Sequence, residues 1–234
     1  MGSGAQEARV ARAGTAGGLK SGGRVLFVCL ALAALAGCST VQVHGKVTIS
    51  DNPAGTLKHG DLEGAGLAFI TPATVTGQEE DRPALSLVFS EALAALRPSV
   101  RIIPLKETLS AINHAGVEEE YRTMIADSRE SGLLNRSTLS EISKATGVRF
   151  IAQLRMASFH QEAQDRFSVF GLRMIATKKA DMRVFLRIWD GQEGSIAWEG
   201  AHELYMSRET MLEKPISFHE LADESARELL SRLP

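Results

Sequence analysis

Hydrophobic residues change their spacing several times along this chain, and each change marks a predicted element. From Val25 to Ala36 they are continuous. Leu67-Ala68-Phe69-Ile70 is a short apolar run stopped by Thr71-Pro72, which reads as a buried strand. Leu85, Val88, Phe89, Ala92 and Leu96 recur at 3.6 spacing, behind Asp81 and Pro83, and predict a helix that ends at Arg97-Pro98. Val100 to Ile103 is a second short strand. Leu105, Leu109 and Ile112 share a helical face, with Gly116 as a left-handed stop. Val117, Tyr121, Met124 and Ile125 share another, in a helix to about Ser131. Thr138 and Glu141 have capping-box spacing and start a short helix ending at Gly147.

The pattern then turns to alternation. Val148, Phe150, Ala152, Leu154 and Met156 interleave with Arg149, Gln153 and Arg155, a strand with one buried face. Gln161 to Phe167 reads as a polar loop. Further strands follow over about Phe170 to Ile188 and Ser195 to Met206. A three-residue loop, Gln192-Glu193-Gly194 with Gly194 left-handed, sets Arg187 against Glu199, Arg183 against Glu203 and Ile188 against Trp198. Opposite charges then meet on the solvent face and apolar groups on the core face, and a one-residue slip destroys both matches. Ser217 and Glu220 form a second capping box before a helix carrying Leu221, Ala222, Ser225 and Leu229. The expected fold is α/β (α+β): a small mixed sheet with a C-terminal antiparallel meander and helices packed on it.

The continuous run at Val25–Ala36 needs a different explanation. At 12 residues it suits a signal h-region, not a span, for which about 20 are needed. Lys20 and Arg24 precede it and Leu35-Ala36-Gly37-Cys38 closes it. This resembles the lipobox of bacterial lipoproteins. The resemblance implies cleavage before Cys38, lipid on its thiol, and acylation of the freed amine. At about 0.8 kcal/mol per buried CH₂, several acyl chains make a stable anchor where one is marginal. An ordinary secretory signal or short anchor with a chance cysteine is the alternative. In that family Ser39, after the cysteine, implies release to the outer membrane. The expected organisation is a lipoprotein-type signal peptide over 1–37, lipidated Cys38 with a flexible tether over 38–63, and one domain over 64–234. Residues 1–23 read as an overlong n-region.

The tether reading rests on Asp51-Asn52-Pro53, Gly55, Gly60 and Gly64. As a coil it would reach roughly 25–30 Å. The alternative is that Val41–Ile49 pairs onto the domain as an edge strand.

Composition narrows the classes. Without Arg9, Arg12, Lys20, Arg24 and Glu7, the mature part has 22 basic and 27 acidic residues, which argues against a nucleic-acid surface. With Cys29 in the leader and Cys38 on lipid, the domain holds no thiol, disulfide or sulfur-ligated metal.

The runs Ala145-Thr146-Gly147-Val148-Arg149-Phe150-Ile151, Val184-Phe185-Leu186-Arg187-Ile188-Trp189-Asp190 and Ile196-Ala197-Trp198-Glu199-Gly200 carry a second resemblance. They are similar to the domain shared by the amino-terminal part of TolB, the curli-secretion lipoprotein and the lipoprotein activators of penicillin-binding proteins. There a glycine-led strand follows a short helix, and a hairpin reads strand-D-turn-strand-W-x-G. The likeness covers about Gly66 to Leu233 in order of elements. It implies binding or assembly and no catalysis. Curli-type members add long transmembrane hairpins, of which no clear pair is legible here.

Candidate chemistry is sparse. Gly64-Ala65-Gly66 precedes a strand, whereas a phosphate loop follows one. His44, His59, His114, His160, His202 and His219 lack metal-ligand spacing. There is no G-x-S-x-G elbow. Glu118-Glu119-Glu120 suits a helix start, and Trp189 and Trp198 suit strand packing. No catalytic residue, metal or cofactor is expected. Two stretches could be surface for a partner: the polar Gln161–Phe167 loop and the apolar Phe167–Ile175 run, the latter more readily read as a strand buried on both faces; Lys178-Lys179 beside it reads as protection of a strand edge. The expected function is a non-enzymatic, outer-membrane lipoprotein facing the periplasm that supports another envelope protein. Alternatives are a subunit of an oligomeric export assembly, in which the chain is a homo-oligomer, and an enzyme on cell-wall or lipid substrates. An apolar patch at Phe167–Ile175 favours the first, self-association the second, and a pocket gathering carboxylates or histidines the third.

Overall fold

A computed structural model describes residues 41–49, 56–74, 79–169, 172–210 and 215–234, with the backbone alone for 79, 164–169, 172–176 and 210. Residues 1–37, read as a signal peptide, and Cys38 lie outside the described residues. The fold is mixed α+β, with six strands and six helices among the described residues. In chain order these are β1 (Val41–Ile49), α1 (Asp61–Ala65), β2 (Leu67–Phe69), α2 (Arg82–Leu96) and β3 (Ile102–Ile103). Then come α3 (Leu105–Ala115), α4 (Glu118–Ser131), α5 (Arg136–Thr146), β4 (Phe150–Val169), β5 (Leu172–Asp190), β6 (Ile196–Thr210) and α6 (Phe218–Leu230).

The strands form one sheet in the order β1-β6-β5-β4-β2-β3. β2 runs parallel to β3 and β4, and the other pairings are antiparallel. Helices cover both faces at the β2–β4 side. On one, α2 and α6 enclose the main core with Phe69, Phe89, Leu154, Leu186, Ile188 and Leu229. On the other, α3, α4 and α5 bury a second cluster that includes Ile70, Ile112, Met124, Leu139, Ile142, Ile151 and Trp189. Tyr121 ties this layer to the strand side: its hydroxyl donates to Thr71 Oγ1 (2.7 Å) and accepts from the Thr71 N–H (2.8 Å). Single-face alternation in β4 was therefore only half the pattern, because Ile151 faces a core of its own.

The meander register is the expected one: Arg187 pairs Glu199, Arg183 pairs Glu203, and Ile188 pairs Trp198. The loop is one residue longer than expected. Asp190 N–H donates to Ser195 O (2.9 Å), closing a loop over Gly191–Gly194 with Gly194 at φ 71°. Ala197 is then the extra residue of a bulge between the Ile188–Trp198 and Trp189–Ile196 pairs, and it restores the register. The carbonyl of Ala197 accepts from Leu57 N–H (3.2 Å).

Four further expectations are corrected. Val41–Ile49, read as tether, is β1, paired to β6 along all nine residues. The rest of that segment is also ordered in part: Asp61–Ala65 is helical, and Leu57 and Leu62 are buried. Gln161–Phe167, read as a loop, lies within β4, which pairs with β5 to Val169–Leu172. His160 to Ala163 are exposed, so backbone pairing persists there without an apolar face to signal it. The cap of α5 is Asn135, whose Oδ1 accepts from the N–H groups of Ser137 (2.9 Å) and Thr138 (3.3 Å). Thr138 lies inside that helix and caps nothing. Lys178 and Lys179 lie on β5, a central strand, not an edge.

Candidate functional site

Alternation in β1 sorts its side chains by face. Val43, Gly45, Val47 and Ile49 line a groove of about 400 Å³ against His202 and Leu204 of β6, with Glu224, Glu228 and Arg232 as its far wall. His44 and Lys46 look to the opposite, polar face, beside Asp181, Arg183, Glu203 and Tyr205. Helix α6 packs over β5 and β6. It covers β1 incompletely, since Val41 and Val43 remain 46% and 44% exposed. The outer backbone edge of β1 has no neighbouring strand among the described residues. A strand edge with part-exposed apolar side chains is the form of surface that accepts another chain.

One close fit holds β1 in place. A Cβ on Gly45 would lie 2.5 Å from His202 Nε2, so the imidazole occupies the space this glycine leaves. The ring is buried, its Nδ1 has no partner, and burial holds its pKa below the ordinary histidine value despite opposing pulls from Glu228 and Glu224. The groove thus brings one histidine and two carboxylates together, but β1 seals the ring beneath it. Arg232 meanwhile engages Glu228 (2.6 Å). The arrangement packs an edge strand; it does not present an acid–base pair to a substrate.

The remaining candidates scatter. His160 sits 3.7 Å from Asp181, and His114 Nδ1 lies 2.7 Å from Ser110 O. Among the described residues no group of three or more His, Cys, Asp or Glu is placed to hold a metal. Glu118, Glu119 and Glu120 occupy the first turn of α4. Trp189 is buried and its Nε1–H donates to Gln153 Oε1 (3.0 Å), while Trp198 packs at the margin of the main core. The side chains of Phe167–Ile175 lie outside the described residues.

The structure adds an ion pair on a buried carboxylate, Asp190, that the sequence marked only as a turn. Asp190 Oδ2 accepts from Arg149 Nε (2.9 Å) and Nη2 (2.5 Å), and its Oδ1 accepts from the N–H groups of Gln192 (2.9 Å) and Glu193 (3.2 Å). Burial raises the pKa of this carboxyl, but the Arg149 side chain and the two N–H groups outweigh it and hold it below the usual carboxylate range. The separation of 41 residues between Arg149 and Asp190 gave no local signal.

No family model matches the chain, and no curated protein matches it. Similar solved structures include the PelC dodecamer from Paraburkholderia phytofirmans, at 15% identity and a TM-score of 0.44 over 81% of this chain and 97% of that one. A variant of that protein gives 12% identity and the same TM-score. The lipoprotein GNA1162 from Neisseria meningitidis gives 11% identity and a TM-score of 0.35, over 72% of this chain and 96% of that one.

Proposed function

We propose that this chain is a lipoprotein held in the outer membrane by lipid on Cys38, with its domain in the periplasm, and that it acts by binding another envelope protein. The observation that carries the reading is a spacing. β1 begins at Val41, three residues after Cys38, and is an edge strand with an unpaired outer side among the described residues. Three residues span at most about 10 Å. A lipid on Cys38 would therefore hold the edge of the sheet beside the headgroups, far closer than a long tether allows. Partners already in that membrane would meet β1 first.

A second reading rests on the same edge. An open strand is also a template for another copy of the chain, and assembly into an oligomer uses it equally well. A photoreactive residue at Val43, activated in cells, separates the two. An adduct with a different envelope protein supports the binding reading. An adduct of two copies supports self-assembly. Absence of any adduct at Val43, with adducts forming from the opposite edge at Ile102, overturns both.

A further inference from the structure

A second pocket, of about 430 Å³, opens on the α4 side of the sheet and is unlike the rest of this acidic domain. Four arginines line it: Arg82 at the start of α2, Arg129 on α4, Arg155 on β4 and Arg187 on β5. Gln153 and Phe185 complete its inner wall. No carboxylate lines it among the described residues. Its volume falls within the range of small-molecule sites, about 300–1,000 Å³.

The arginines are held in different ways. Arg82 Nε donates to Thr74 Oγ1 (3.0 Å). Arg187 donates from Nη1 to Gly132 O (3.2 Å) and from Nη2 to Glu199 (3.1 Å), while its Nε is buried without a partner. The side chains of Arg129 and Arg155 are exposed and make no ion pair or hydrogen bond with any described residue. Several other surface arginines are matched to carboxylates, as Arg122 is to Glu119, Arg183 to Glu203 and Arg227 to Asp223. Guanidinium groups cannot shed their protons at physiological pH, so a bound counter-charge relieves repulsion that solvent and salt otherwise screen. Planar donor forks are also the side chains best matched to two-oxygen acceptors.

We propose that this pocket binds the oxyanion group, phosphoryl or carboxylate, of a small acidic ligand. Arg129 and Arg155 supply its free donors, while Arg187, already paired with Glu199, forms part of the wall. Phe185 offers an apolar surface beside them, suited to the non-charged part of such a ligand.

The test is calorimetric titration of the full chain in detergent with inorganic phosphate and with glucuronate, and with glucose as the neutral control. Saturable binding of either anion, without binding of glucose, is expected. Whichever anion binds assigns the phosphoryl or the carboxylate source. Arg155→Gln and Arg129→Gln should each weaken it about tenfold, the scale of one charged hydrogen bond. Both side chains are exposed and unpaired, so neither change should lower the melting temperature. Lys46→Gln, the same charge loss on β1, should leave affinity unchanged. Failure of both anions to bind overturns the proposal, as does binding that Lys46→Gln weakens as much as the arginine changes do.

Discussion

Two buried side chains carry most of what can be tested at the scale of single residues. Asp190 joins the β5–β6 loop to Arg149, and replacing it by Asn removes the charge while keeping the shape. Arg149 is 43% exposed at its side chain and can be resolvated. The expected loss is therefore moderate, about 1–3 kcal/mol in urea unfolding. Because the folded carboxyl titrates below its unfolded value, its contribution is present above about pH 4 and is lost as pH falls through the folded pKa. Asp190→Asn should remove that acid-side dependence. His202 works on the other flank. Its folded pKa lies below the unfolded value, so stability is full above about pH 6.5 and falls as pH drops from there through the folded pKa. His202→Gln should flatten the profile in that window. Gly45→Ala, which drives a methyl into the ring, should cost about 1–3 kcal/mol. The same change in a His202→Ala background should be tolerated.

Elements were legible where pattern and chemistry agreed. Arg183, Arg187, Glu199 and Glu203 fixed the meander register, because charge and apolar matches fail together on a slip. Ser217 and Glu220 form the expected capping box on α6, with Ser217 N–H donating to Glu220 Oε2 (2.8 Å) and Glu220 N–H to Ser217 Oγ (3.2 Å). Ser217→Ala should cost about 1 kcal/mol in thermal unfolding. The solvent-face reading holds for Arg183 and Glu203, at 50% and 53% side-chain exposure, and not for Arg187 and Glu199, at 27% and 26%. Arg183→Glu should therefore cost no more than about 1 kcal/mol and be rescued by Glu203→Arg. Arg187→Glu should cost more, because it also uncaps Gly132 O at the end of α4. What failed to show in the sequence was structure without an apolar signature. His160 to Ala163 of β4 are exposed and carry no apolar face to mark the strand. β1 was read as tether because the turn residues Asp51-Asn52-Pro53, Gly55, Gly60 and Gly64 follow a short, weak alternation, and the contact that fits Gly45 into the sheet, His202, lies 157 residues away.

At the scale of the whole molecule, the proposed attachment point is contiguous in the sequence and the surfaces are not. Leu35-Ala36-Gly37-Cys38 is one run, so order and spacing alone suggest it. The β1 edge and the arginine pocket are assembled from distant segments, and neither Arg82, Arg129, Arg155 nor Arg187 is unusual in its own neighbourhood. If Cys38 carries lipid as proposed, the spacing between Cys38 and Val41 brings the start of β1 close to the membrane. The most direct measurement is therefore the intact mass of the protein purified from the membrane fraction, with its N-terminal residue. A chain beginning at Cys38, with added mass equal to a diacylglyceryl group and an amide-linked acyl chain, is the predicted result. Cys38→Ala should then accumulate as the uncleaved precursor. A mature chain that begins elsewhere, or that begins at Cys38 with a free thiol, would contradict the anchor and with it the placement of β1 at the membrane.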